Sequence, residues 1–292
     1  MWSVTTCSPT DAYQKRALES LASLPPFSPI LNRLLAMLSN DDVPFSKLGT
    51  QIERDTVLAG NILKIVNSAL YGREGTVTSI VHAISILGTA RLRNCALAFS
   101  VNRLWNSVRT PSKWSATRFN SHSLATAMMA DRIAEHVPVA FAEGAFAAGL
   151  FHDLGKLLIA MTSLADFDAL QLELRNAGPD SEQREKELLG VSHSELSALA
   201  LERWNLPKDV QTAVLYHHEP SLCTQAAPTL AHIVNAADRT VNGLGFTLEI
   251  WRHTDKIEIP SEFPSLEALH ISDVDRFISG FQSELDTLKS VA

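Results

Sequence analysis

The sequence predicts an all-α protein built from two helical subdomains. Three observations carry this. Apolar residues recur at the 3.6-residue helical spacing along most of the chain, strand-like alternation bounded by turn signals is almost absent, and 46% of the 292 residues are hydrophobic against 20% charged. The first two point to helices. The third lies far from the composition of a disordered chain.

In chain order, Pro25 and Pro26 stop whatever precedes them, and FSPILNRLLAMLSN follows with Ile30, Leu31, Leu34, Leu35 and Leu38 at helical spacing. VLAGNILKIVNSALYG repeats the pattern through Leu58, Ile62, Ile65, Val66 and Ala69 and is expected to end at Gly72. SIVHAISILG and ARLRNCALAFSV read as two shorter helices parted near Gly88. From Asn106 to Asn120 the chain turns polar, with Pro111, three serines and a tryptophan. The subdomain connection is placed there, giving units 10–110 and 111–292.

The second unit supplies HSLATAMMADRIAEHV, AEGAFAAGLFHDLGKLLIAM, SHSELSALALERWNL, KDVQTAVLYHH and APTLAHIVNAADRTVN as helices. Ser192 and Glu195 stand in the S-x-x-E relation of a capping box. Proline cuts ERWNLP and HHEP. FTLEIWRHTDKIEIP reads as loop or a short strand pair, and SDVDRFISGFQSELDTLKS closes the chain as an amphipathic helix with Val274, Phe277, Ile278, Phe281, Leu285 and Leu288 on one side.

The net charge of −7 offers no general attraction for nucleic acid or an anionic membrane surface. Cys7, Cys95 and Cys223 are scattered and form no CxxC pair, so neither a disulfide framework nor a thiolate zinc site is expected. The start MWSVTTCSPT lacks a basic segment followed by an apolar run, and charges such as Glu143 and Asp153 interrupt the most apolar region. A cytoplasmic protein without membrane spans is expected.

One string stands out. LFHDLGK (150–156) puts His152, Asp153 and Lys156 inside an otherwise apolar segment, spaced to line one side of a helix. Burying three ionisable groups is costly unless they pair or bind something. By itself the string reads equally well as an Asp–Lys pair with a hydrogen-bonded histidine. His122 alone reads as a first-turn surface residue, and so does His193 behind its cap. His217 and His218 alone read as cations at a helix C-terminus. Asp238 lies three or four residues from Val234 and Val241, on the flank of an apolar stripe, whereas His232 falls on the other side.

Five imidazoles and two carboxylates on successive helices nevertheless share one explanation, a metal site. Imidazole with carboxylate suits iron, manganese or zinc better than magnesium or calcium. Seven ligands exceed one tetrahedral ion and suit two, bridged by a carboxylate, a device for phosphoester hydrolysis in which Lys156 turns a positive charge toward the phosphate.

The order His122, His152–Asp153, Asp238 resembles the H…HD…D arrangement of the HD superfamily of metal-dependent phosphohydrolases, and His193 with His217–His218 resembles the larger ligand set of the HD-GYP phosphodiesterases. LPPFSPILNRLLAMLSN, IERDTVLAGNILKIVNSALYG and SIVHAISILGTARLRNCAL resemble the HDOD family, with NSALYG and AISILG its most specific pieces. The resemblance covers about residues 20–240. It implies an HD-type helical bundle in the C-terminal subdomain, with one ion held by His122, His152, Asp153 and Asp238. Asp153 then bridges to a second ion held by His193, His217 and His218, with Asp153 and Lys156 in catalysis. It further implies a signalling role with a protein partner, and a nucleotide or other phosphoester as ligand. The alternative it leaves open is a non-catalytic interaction module whose metal is structural or sensory. After HHE, the D-G-x-G-Y-P string of HD-GYP proteins is replaced by PSLCTQAAP, so their cyclic-di-GMP substrate is not carried over.

Overall fold

The computed structural model describes residues 15–16, 19–22, 29–36, 45–68, 76–162, 167–178, 181–223, 228–248, 264–267, 269, 271 and 273–289. Every regular element among them is helical. The expected features at Pro25–Pro26, Leu38, Ala69, Gly72 and 249–260 lie outside the described residues.

Helices α1 (Pro29–Ala36), α2 (Phe45–Arg54) and α3 (Thr56–Val66) precede the long α4 (Ile80–Asn106). Asp55 caps α3 by accepting from the Leu58 amide, and Leu58, Ile62, Ile65 and Val66 are buried as the spacing predicts. The helix ends at Val66, earlier than the apolar pattern suggests. The Asn67 side chain is the reason: it donates to the Val77 carbonyl (2.9 Å) and accepts from the Val77 amide (2.7 Å), turning the chain out of the helix. α4 is two helical stretches parted at Gly88, as the sequence predicts, where the chain kinks with φ 75° and ψ 167°. That backbone region is open essentially to glycine alone.

Next come α5 (Ala116–Ala134), α6 (Ala145–Phe151), α7 (Leu154–Thr162), α8 (Phe167–Ala177), α9 (Ser181–Leu189), α10 (His193–Arg203), α11 (Lys208–Leu215) and α12 (Leu230–Gly243). The short α13 (Pro264–Glu267) and the amphipathic α14 (Val274–Lys289) follow. Phe277, Ile278, Phe281 and Leu285 of α14 are buried, as their spacing requires.

Among the described residues, buried hydrophobic side chains form two clusters. Ile52, Leu58, Ile62 and Ile80 belong to the smaller, and α5–α7 and α10–α12 build the larger. Helix α4 feeds both, giving Leu92, Ala96 and Phe99 to the smaller and Leu97, Val101 and Trp105 to the larger. In the larger, Trp105 meets Phe119 at 4.7 Å and Phe151 at 6.2 Å between ring centroids, and Phe151 meets Trp204 at 5.9 Å. These rings back the helices that carry the polar site.

The segment Ala142–Thr162 departs from expectation in two ways. By length and composition it could cross a membrane despite its charges, but 89% of its most apolar stretch is buried inside the protein. It is also not one helix. The chain breaks at His152–Asp153 between α6 and α7, so the two residues sit at a junction and not along a continuous face.

Candidate metal centre

His122 lies in the second turn of α5, because Ser115 caps that helix by accepting from the Arg118 amide. It is 2% exposed, which overturns its reading as a surface residue. His152 and Asp153 occupy the α6–α7 junction, His193 begins α10, and His217–His218 follow α11. The capping box on α10 is present, with Ser192 and Glu195 each accepting from the other's backbone amide. Asp238 projects from the middle of α12.

Gly149 and Gly155 let these elements close up. A side chain at Gly149 would meet the Thr126 carbonyl oxygen of α5 at 2.7 Å. At Gly155 it would run into the His193 carbonyl. Instead the Gly155 amide donates to Ser197 Oγ at 2.7 Å, docking the start of α7 on α10.

The eight residues singled out in the sequence come together. Asp153 is the hub: its Oδ2 lies 3.4 Å from the Nε2 atoms of both His122 and His152, and Lys156 Nζ donates to it at 2.8 Å. Its Oδ1 lies 3.4 Å from His193 Nε2 and 3.9 Å from His217 Nε2. Asp238 Oδ1 is 3.2 Å from His122 Nε2 and 3.5 Å from His152 Nε2. Two overlapping groups result, His122–His152–Asp153 and Asp153–His193–His217–His218, each with ligand atoms within 4.8 Å of one another. His152, Asp153, His193 and His217 are buried.

The outer nitrogens decide what the inner ones can do. Nδ1 of His122, His152 and His217 sits 2.6–2.7 Å from the carbonyl oxygens of Phe246, Gly149 and Val214. A carbonyl only accepts, so each Nδ1 carries a proton, and Nε2 is the atom by which each ring offers a lone pair inward when a metal ion takes the place of a second proton. Nε2 of His122 and of His152 are 3.2 Å apart. Two lone pairs at that separation repel unless a cation lies between them. Asp153 Oδ1 and His217 Nε2 are buried without hydrogen-bond partners among the described residues, an arrangement otherwise costly. The donor set therefore fits a bound metal ion.

The field agrees. Burial would push the Asp153 carboxyl up, but His152, Lys156, His122 and His193 hold it well below the usual carboxylate range. Burial likewise opposes, and hydrogen bonds with His122 and His152 outweigh it, for Asp238. Both acids are charged. Burial opposes charge on His122 as well, yet Asp153 and Asp238 raise it to about 9, so a proton enters where no other cation does. Burial, with His218 and His152 beside it, keeps His217 neutral and available as a ligand.

One residue escaped the sequence reading. Glu185 on α9 is buried, and its Oε2 accepts from both the His193 amide and His193 Nδ1 at 2.7 Å. It plays toward His193 the part that backbone carbonyls play toward the other rings. The signal was present, since Glu185 stands four residues before the buried Leu189, on the inward face of an otherwise polar helix.

Fold and site thus define an all-α protein with a buried histidine–aspartate cluster able to hold metal. The chain belongs to the HDOD domain family, whose match spans residues 24–220, more than half of its length. A protein of uncharacterised function from Treponema pallidum (strain Nichols) is 26% identical over 213 residues. The aligned part is 71% of this chain but only 40% of that protein. An HDOD domain protein of unknown function from Geobacter sulfurreducens superposes with a TM-score of 0.76 at 22% identity, covering 95% of this chain and 98% of the other. A protein of Shewanella amazonensis SB2B, described as a candidate phosphohydrolase, superposes with a TM-score of 0.71 at 21% identity over the same shares. At such identities these structures establish the shared fold.

Proposed function

We propose that this chain is a cytoplasmic signalling protein whose C-terminal subdomain is a metal-dependent phosphohydrolase with two ions. The observation that supports it most is the set of inward Nε2 lone pairs meeting the two oxygens of a single buried aspartate. His122, His152, Asp153 and Asp238 would hold one ion, and Asp153, His193, His217 and His218 the other, with iron or manganese preferred and zinc acceptable. Bound there, two ions would supply Lewis-acid charge for a phosphoryl group and lower the pKa of water.

The protein's own groups do the rest. Lys156 stands 2.8 Å from Asp153 and 23% exposed, so it offers a fixed positive charge at the edge of the cluster. A cavity of about 750 Å³ opens over the centre, lined by Lys156, Lys186 and Arg239 and by Glu182, Glu195, Glu219 and Asp238 among others. Its acids outnumber its cations, so the metal ions would supply most of the positive charge that a phosphoester needs there. The description of the Shewanella protein as a phosphohydrolase points the same way.

The test is metal analysis of the purified chain together with turnover of bis(p-nitrophenyl) phosphate and of nucleotides in the presence of manganese or iron. About two ions per chain and hydrolysis that falls on the order of 10²-fold in Lys156→Ala are expected. Bound metal without turnover would defeat the enzymatic reading. A second reading, a non-catalytic module that binds a protein partner through the N-terminal subdomain, is favoured by the sequence after Glu219, where the glycine–tyrosine–proline loop is replaced. Partner capture that survives Lys156→Ala and is lost on disrupting α1–α3 would support it.

A further inference from the structure

Helix α9 carries two acids one turn apart on the side that meets the centre. Glu185 is buried and takes the outer nitrogen of His193. Glu182 is half-buried and lines the cavity over the centre together with His193 and His218. A glutamate in the first turn of a polar helix ordinarily reads as a surface charge paired along that helix. The cations of α9 are directed elsewhere. Lys186, four residues on, bridges to Glu195 of α10 at 3.3 Å, and Arg184 reaches Glu173 and Glu187 at 2.7 and 2.9 Å.

What surrounds Glu182 is the His193–His218 side of the centre. Burial would push its carboxyl up, but those two rings, with the hydroxyls of Ser194 and Ser192, hold it below its usual value. The serines are placed to do this. Ser192 Oγ accepts from the Glu195 amide and keeps its own proton to donate. Ser194 is fully buried, and its Oγ lies 3.5 Å from His193 Nε2, the nitrogen that faces His218 Nε2 at 2.9 Å. Ser194 therefore links Glu182 to the inward nitrogens. Glu182 is not among the groups whose ligand atoms lie within 4.8 Å of one another, so it acts from outside the ligand set.

Charge gives that position a use. Two divalent ions and Lys156 bring more positive charge than Asp153, Asp238 and Glu185 return, and unbalanced charge in a buried site is costly. The imbalance is greater on one side. His122 and His152 have Asp238 beside them as well as Asp153, whereas His193, His217 and His218 share Asp153 alone. Of the other acids in the cavity wall on that side, Glu195 is engaged by Lys186 and Glu219 is exposed.

We infer that Glu182 is a positioning residue for the ion on the His193 side, an outer carboxylate that strengthens binding there by its charge and through Ser194. The inference rests on the reading of the centre as a metal site and adds a group that lies outside the ligand set proposed for it.

The test is manganese titration of the full chain, by calorimetry and by electron paramagnetic resonance, which distinguishes a coupled pair of ions from an isolated one. Glu182→Gln keeps the size and an acceptor but removes the charge. One of the two affinities should fall about 10- to 100-fold, the range of such outer partners. The signal of an isolated ion should then persist at metal levels that give the wild type its coupled signal. Salt at about 0.5 M should narrow the deficit, because Glu182 faces an open cavity where screening acts. Ser194→Ala should weaken the same ion severalfold, and Glu182→Gln should matter less in that background than in the wild type. The metal-free Tm of Glu182→Gln should match that of the wild type, which shows that the variant is folded. Unchanged manganese affinities, an equal loss of both ions, or a deficit that salt does not narrow overturns the role of Glu182. A wild-type chain that takes up no manganese overturns the reading of the centre itself, and this inference with it.

Discussion

Glu185 and Gly155 show how much of the centre depends on residues that bind no metal. Glu185→Gln keeps an acceptor but loses the charge that holds His193 Nδ1–H, and such orienting partners typically matter 10- to 100-fold in metal affinity. Manganese titration should show one ion weakened by about that factor, the other retained on the His122 side. Gly155→Ala must push α7 off the His193 carbonyl, so a loss of about 1–3 kcal/mol in denaturant unfolding is expected, together with weaker metal uptake. His152, Asp153 and Lys156 stood out in the sequence because charge inside an apolar segment is conspicuous, whereas His122, His193, His217 and His218 each read alone as surface or helix-end residues and joined them, with Asp238, only as a set and through the family resemblance. Glu185 was not, because α9 is polar nearly throughout and its single inward acid looks like its neighbours until His193 is seen against it.

At the level of elements, helices were readable from apolar spacing and their ends were not. The chain leaves α3 at Asn67, whose side chain bonds to Val77 ten residues on, which no local pattern records. The joint between α4 and α5 has its own pH dependence. Asn94 Nδ2 donates to Asp131 Oδ2 at 3.0 Å, and burial, with Glu135 close by, raises Asp131 to about 6 against the pull of Arg93. A carboxyl that keeps its proton longer when folded stabilises the fold fully below its unfolded value near 3.8, and that contribution is lost as the pH rises through 6. Asp131→Asn should therefore match the wild type at pH 4 and exceed it by about 1–2 kcal/mol at pH 8, because a tenfold change in proton affinity corresponds to ~1.4 kcal/mol before solvent screening. Chemical denaturation at the two pH values reads this directly. A variant less stable at pH 8 would mean that the charged form is well accommodated.

For the molecule as a whole, the histidine–aspartate cluster lies in the larger of two cores that share α4 among the described residues, so a metal ion bound there should stabilise the fold globally. Free metal at a hundred times its dissociation constant contributes about 2.7 kcal/mol. Calorimetry should show a Tm lower by roughly 5–10 °C in chelator than in manganese, and an unchanged Tm would mean that no ion is held. The division of the chain at Asn106–Asn120 was drawn from polar composition, which does not reveal that α4 packs into both cores. The segment Ala142–Thr162 carries one more consequence, for the nascent chain. Twenty-one residues of this apolarity resemble a stop-transfer signal as they leave the ribosome, and an aspartate near the midpoint opposes bilayer insertion by about 2.5–3.5 kcal/mol. Asp153 is thus expected to disfavour insertion of the newborn polypeptide into lipid, before there is any folded site for it to serve.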